Sequence, residues 1–291
     1  VFGDATVAAL DDFQRQRGLH TSGECDEHTW LALVEAGWRL GDRLVLLSAP
    51  MQRGDDVAEL QAALNRVGFD CGRPDGIMGP ATPHALEDFQ RNCGLSVDSI
   101  CGPQTVKMLD LVSRQTGSGP GVATVREVES AAAHTPLESL RIVVGQFGGL
   151  SSITRSLSRT LRDDGATVIS TDEYEATAHA AAANRFGASV YVGFEAVTNE
   201  RAIISYFAVP TFESVGGRAL ADRVVRELRP AIPVEPTLRG MRLAVLRETR
   251  MPAVLCSLGP VRSIVDRTDA VTDAVTVAIR SWTTIPLAEP R

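Results

Sequence analysis

The chain has 291 residues, 22% of them charged, and a formal net charge of −7, which is room for two or three domains of ordinary soluble composition. The acidic balance speaks against nucleic-acid binding, which calls for a basic stripe, and no apolar run approaches the length that spans a bilayer. The five cysteines (Cys25, Cys71, Cys93, Cys101 and Cys256) contain no CxxC pair, so they suggest neither a disulfide framework nor a zinc ribbon. They are expected to be buried or free thiols in a reducing compartment, the cytoplasm.

The chain opens on a duplicated helical unit. "TVAALDDFQRQRGL" from Thr6 to Leu19 recurs as "TPHALEDFQRNCGL" from Thr82 to Leu95, a shift of 76 positions. The same shift carries Phe2-Gly3 onto Met78-Gly79, Cys25 onto Cys101, Thr29 onto Thr105 and Leu33 onto Leu109. Agreement in a single register marks a repeat. In the second copy, Val57, Leu60, Leu64 and Val67 predict a helix over 56–67. "DCGRPDG" turns the chain. Gly79 and Pro80 suit the start of the next helix, Ala85, Leu86 and Phe89 form its apolar stripe, and Gly94 stops it. Val106, Leu109 and Val112 mark a third helix over 103–112. Each copy is therefore expected to be a small all-α three-helix module, the first of them truncated at its N-terminal side.

"PDGIMGPATPHALEDFQ" resembles the D-G-x-x-G-x-x-T-x-x-A-L-x-x-F-Q signature of the peptidoglycan-binding-domain-1 family. The resemblance implies two such modules, over 1–40 and 51–113, of a kind that usually binds cell wall. Asp75, Gly76, Thr82 and Gln90 are the candidate glycan-contacting residues. The competing reading is that these four only build the fold.

From 114 to 139 the composition turns to Gly, Ser, Pro and Ala, a linker with room for one short helix and with His134 as a solvated loop residue. Strand and helix patterns then alternate over 140–285. Strands are expected at 141–144, 166–170, 189–194, 203–209 and 253–258, and helices at 153–161, 173–185, 220–228 and 270–282. Residues 241–246 fit a turn of helix or a strand. Such alternation predicts an α/β domain with a mainly parallel sheet covered on both faces. The first strand runs into "VVGQFGG", a Gly-rich turn of the sort that carries ligands or catalytic groups in α/β sheets.

"AAAANRFGASVYVGFEA" and "LAVLRETRMPAVLCSLGPV" resemble two segments of the amidase-3 family of zinc-dependent N-acetylmuramoyl-L-alanine amidases, and the likeness extends over 141–282. A zinc amidase needs two histidines and a carboxylate on the metal, with one position open for water, and a further carboxylate as general base. The resemblance puts Phe147 at the first histidine, Glu195 at the second and Ser257 at the catalytic glutamate. "LSSITRSLSR" offers no acid for the remaining ligand. A phenyl ring has no lone pair for a metal, and one carboxylate does not make a zinc site. No catalytic residue, metal or cofactor is therefore expected. Ser257 lacks the Gly-x-Ser-x-Gly surroundings of a nucleophile. His179 is expected on the surface of an Ala-rich helix, while Asp172, Glu173 and Glu175 mark that helix's N-terminus.

Two wall-binding-type modules ahead of a degenerate amidase-3-like domain, with "SICGP" at 99–103 and "TRMPAVL" at 249–255, resemble the actinobacterial CwlM family. That resemblance implies a cytoplasmic, non-hydrolytic regulator of peptidoglycan precursor synthesis. Its implied partners are a MurA-type enzyme, a forkhead-associated protein and a lipid flippase, and a muropeptide or precursor is a further candidate ligand. The alternatives are an active wall hydrolase and a plain peptidoglycan-binding protein.

Overall fold

A computed structural model describes residues 3–114, 121–132, 135–209 and 212–284; His134 lies outside them. The chain divides into two compact units, Val1–Arg126 with Pro210–Phe212, and Glu127–Val209 with Glu213–Arg291.

The first unit is helical. Helices α1 (Asp4–Arg17) and α2 (Glu27–Ala36) form the first copy of the repeat, and α3 (Asp55–Arg66), α4 (Ala81–Asn92) and α5 (Pro103–Ser113) form the second. Local chemistry sets their ends. Gly18 closes α1 in the left-handed region at φ 61°, and the Asp26 carboxylate caps α2 by accepting the Thr29 N–H. Val57, Leu60 and Leu64 of α3 enter one apolar cluster with Leu86 and Phe89 of α4 and Leu109 of α5, as their i, i+3, i+7 spacing requires. An 11-residue helix, α6 (Val122–Ala132), fills the middle of the stretch expected to be linker.

The second unit is an α/β layer structure. Its elements in chain order are β1 (Arg141–Phe147), α7 (Ser151–Asp163), β2 (Thr167–Thr171), α8 (Ala176–Phe186), β3 (Val190–Ala196), β4 (Arg201–Val209), β5 (Phe212–Glu213), α9 (Val215–Leu228), β6 (Thr237–Met241), α10 (Ala244–Glu248), β7 (Ala253–Gly259), α11 (Val261–Val265) and α12 (Thr268–Thr284). The sheet runs β2-β1-β3-β7-β4-β5, with β6 also paired to β4. Ile142 and Val144 face the layer built from α7, α9 and α12, where Leu157, Leu220 and Val275 are fully buried. Gly145, on the opposite side of the strand, faces α8. Residues 241–246 divide between the end of β6 and the start of α10.

β1 pairs in parallel with β2 and β3, β3 with β7 and β4 with β6, while β4 runs antiparallel to β7. The reason is the short β3–β4 connection, residues 197–200. A loop of that length cannot return the chain to the start of the sheet, which takes a crossover of a dozen residues or so. It instead passes over the end of β7, and Gly259 gives it passage: a Cβ there would strike the backbone oxygens of Val197 and Asn199.

Candidate functional site

The three positions that the amidase-3 resemblance singles out meet at the carboxyl edge of the sheet. Phe147 ends β1 and pairs in register with Glu195 of β3, which pairs with Ser257 of β7. The buried Ser257 hydroxyl donates to the half-buried Glu195 carboxylate at 2.5 Å.

Phe147 is held from the other side. Its ring stacks on His179 with centroids 4.2 Å apart and planes 18° from parallel. His179 is fully buried, contrary to the expectation of a surface position. The Ala-rich helix α8 packs against the sheet, and its small side chains bring the imidazole down to the strand surface. Both ring nitrogens are engaged, Nδ1 with the Tyr191 hydroxyl at 2.8 Å and Nε2 with the Glu173 carbonyl at 2.8 Å. A carbonyl only accepts, so Nε2 carries the proton and Nδ1 accepts from tyrosine. Burial holds the imidazole below its ordinary pKa, against the opposing pull of the Glu173 carbonyl and the Glu173 and Asp172 charges. Burial pushes the Tyr191 hydroxyl upward. Gly145 makes room for this pair, because a Cβ there would strike both the Tyr191 hydroxyl and the His179 ring.

After Phe147 the chain turns through Gly148 and Gly149, both left-handed at φ 71° and 73°. Helix α7 begins at Ser151, so only a three-residue turn, with no acidic member, separates it from β1. Zinc, which the amidase-3 resemblance implies, does not fit these residues. The positions offer a phenyl ring, one carboxylate already bonded to serine, and a buried hydroxyl. The neighbouring imidazole has both nitrogens committed. Among the described residues, no group of three or more His, Cys, Asp or Glu could hold a metal ion.

The four candidate glycan contacts all take part in one recurring hydrogen-bond device. In the second copy, Gln61 Oε1 accepts the Gly76 N–H at 2.8 Å, while its amide faces Asp75 at 2.9 Å, the Ile77 carbonyl at 3.0 Å and Thr82 at 3.2 Å. Gln90 repeats this on the next loop, accepting from Asp98 and Ser99 and facing Asp98, Ile100 and Thr105. Gln14 does the same in the first copy, with Ser22, Gly23, Glu24 and Thr29. Each glutamine pins the loop between two helices. Gly23, Gly76 and Ser99 stand at the matching position of the three loops and are all left-handed, at φ 68°, 73° and 60°. Thr82 and Gln90 are buried, so neither presents a surface to a glycan.

Sequence reasoning missed Gln61 and Gln14. The signal was available, since "DGIMGPAT" at Asp75–Thr82 recurs as "DSICGPQT" at Asp98–Thr105. It missed Tyr191 and the buried role of His179 as well, and no local pattern distinguishes that histidine from a solvated one.

The family model PG_binding_1, "Putative peptidoglycan binding domain", matches residues 1–33 and 53–109. "N-acetylmuramoyl-L-alanine amidase CwlM" of Mycobacterium tuberculosis is 31% identical over 94% of this chain and 77% of its own length. A "Spore cortex-lytic enzyme" of Bacillus cereus is 46% identical over 19% of this chain and 22% of its own length. Among solved structures, the N-acetylmuramyl-L-alanine amidase Ami1 of Mycobacterium smegmatis covers 52% of this chain and 99% of its own at 12% identity, with a TM-score of 0.45.

Proposed function

Since the chain belongs to the N-acetylmuramoyl-L-alanine amidase family that includes CwlM, we propose that it is a non-catalytic member, regulating peptidoglycan precursor synthesis by binding other proteins. One observation carries the first half of this reading. The strand ends that the amidase-3 resemblance aligns with ligands and base lie side by side in register, and they carry Phe147, Glu195 and Ser257. Amide hydrolysis by this family's route needs an activated water and a group to move its proton. Here the one carboxylate is tied to a serine hydroxyl, and the one nearby imidazole is buried between Phe147 and Tyr191 with both nitrogens bonded.

The regulatory half follows the CwlM resemblance. The partner is an enzyme of precursor synthesis of the MurA type, with a forkhead-associated protein and a lipid flippase as further partners. The setting is the cytoplasm, a reducing compartment in which cysteines such as the exposed Cys25 stay thiols. The matched peptidoglycan-binding modules favour a second reading, a plain wall-binding protein, in which the α/β unit is only a scaffold.

The test has two arms. The purified chain is dialysed against zinc and then metal-free buffer, and its zinc content and muropeptide turnover are measured. Zinc near one per chain together with turnover would show an amidase and overturn the proposal; neither is expected. In the second arm the chain is added to a MurA-type enzyme from the same organism. A rise in that enzyme's rate supports regulation. An unchanged rate, with capture on isolated sacculi, establishes the wall-binding reading instead.

A further inference from the structure

We propose that the outer edge of β2, with the arginine-lined flank of α7 beside it, docks an acidic extended segment of a partner protein as an added strand. β2 ends the sheet and pairs on one side only, with β1. The Thr167 N–H donates inward to the Leu140 carbonyl at 3.0 Å. Backbone groups of successive strand residues point to opposite edges, so Val168 and Ser170 turn theirs outward. Such an edge is a template for a further strand.

The charge comes from α7, whose two flanks are told apart by their contacts. Ser158 bonds Ser170 at 2.9 Å, and the Arg162 guanidinium donates to the Val168 carbonyl at 3.1 and 2.8 Å, so one flank lies along the β2 edge. Ser152 bonds Thr268 at 3.2 Å and Asp164 pairs with Arg280, so the other flank faces α12. Arg155 and Arg159 stand seven and three residues before Arg162 and share its side of the helix. All three are exposed. Among the described residues none of them pairs with a carboxylate: Arg155 donates to the Ser151 carbonyl and Arg162 to that of Val168. Exposed arginines on other helices do pair, Arg15 with Asp12, Arg91 with Asp88 and Arg226 with Asp222.

The arrangement selects its occupant by charge. The three arginines span about 10 Å along the helix, roughly the length of three strand residues, so carboxylates on alternate residues of an added strand each meet a guanidinium. The Val168 carbonyl keeps a second lone pair for an incoming N–H. Among the described residues, no exposed large apolar side chain lies on α7 or β2, so this surface offers no grip to an apolar helix or a bilayer core. The inference stands whether or not the chain hydrolyses amides.

The probe is a short peptide alternating Glu and Thr, with a Lys-Thr peptide of equal length as control. Each is added to the whole chain while NMR follows hydrogen exchange at the Val168 and Ser170 amides. Saturating Glu-Thr peptide is expected to slow both amides about fivefold. The Lys-Thr peptide should do nothing, and the effect should vanish in an Arg155→Glu, Arg159→Glu double variant whose fold is checked by circular dichroism. Unchanged exchange, protection that survives the double variant, or equal protection by the Lys-Thr peptide would overturn the proposal. Self-association of the double variant, with no peptide protection of the native chain, would also overturn it and assign the arginines to guarding the edge.

Discussion

Phe147 and His179 lie face to face, 4.2 Å between ring centroids. The stack joins the Gly-rich turn after β1 to helix α8, at the position that the amidase-3 resemblance aligns with the first zinc ligand. An aromatic filler in a ligand position is a packing solution. Phe147→Ala is expected to destabilise the α/β unit by about 2 kcal/mol, less than truncation of a core aromatic because the ring is half-buried. Urea unfolding measures it. Phe147→His is expected to retain no zinc after dialysis, since Ser257 and the acid-free turn still leave the ligand set short.

The burial of His179 gives stability a pH dependence. Its pKa is lower in the folded chain than the unfolded value near 6.5, chiefly through desolvation. The unfolded state therefore binds more protons over the window between the two values. Stability from this site is complete above about pH 6.5 and declines as pH falls from there through the folded pKa. Unfolding midpoints at pH 7.5 and 5.5 should differ in the native chain and differ less in His179→Gln. An equal slope in both chains would place the dependence elsewhere.

The Gln61 device predicts a large effect from one buried amide. Gln61→Ala leaves the Gly76 N–H and the Ile77 carbonyl to find new partners, at about 1–3 kcal/mol for each buried group left unsatisfied. Gln61→Glu keeps the acceptor for Gly76 but turns a negative oxygen toward Asp75, so it should not rescue the loss. Thermal unfolding of the two variants distinguishes a bonding role from mere side-chain volume, because glutamate has nearly the same volume.

Gly259 should tolerate no side chain. Gly259→Ala sets a methyl against two backbone oxygens of the β3–β4 connection, and crowding of that kind costs about 1–3 kcal/mol. Gly68→Ala is the control for composition: no atom crowds a Cβ there, and its φ of 97° carries backbone strain alone.

Thiol accessibility separates the cysteines. Burial pushes the Cys101 and Cys256 thiols up to about 12, so both should resist alkylation in the native state while the exposed Cys25 reacts. Mass mapping after brief alkylation checks the order.

Much of this protein is written in local sequence. The 76-residue repeat, the helix registers of Val57-Leu60-Leu64 and Ala85-Leu86-Phe89, and the strand–helix alternation after residue 140 depend on periodicities of the backbone itself. The chemical types at 147, 195 and 257 are likewise properties of single residues, and a set with one carboxylate and no histidine falls short of a zinc site. Tertiary structure alone decided that these three stand side by side, that Ser257 bonds Glu195, and that β4 enters the sheet antiparallel beyond β7. It alone turned His179 from an expected surface residue into a buried one, and gave Asp75, Gly76, Thr82 and Gln90 their places in loop-pinning bonds. The physical reason is range. A helix or strand pattern repeats within a few residues, whereas the burial of one imidazole depends on Gly145, Tyr191 and Phe147 arriving from other strands, and no local periodicity records that meeting.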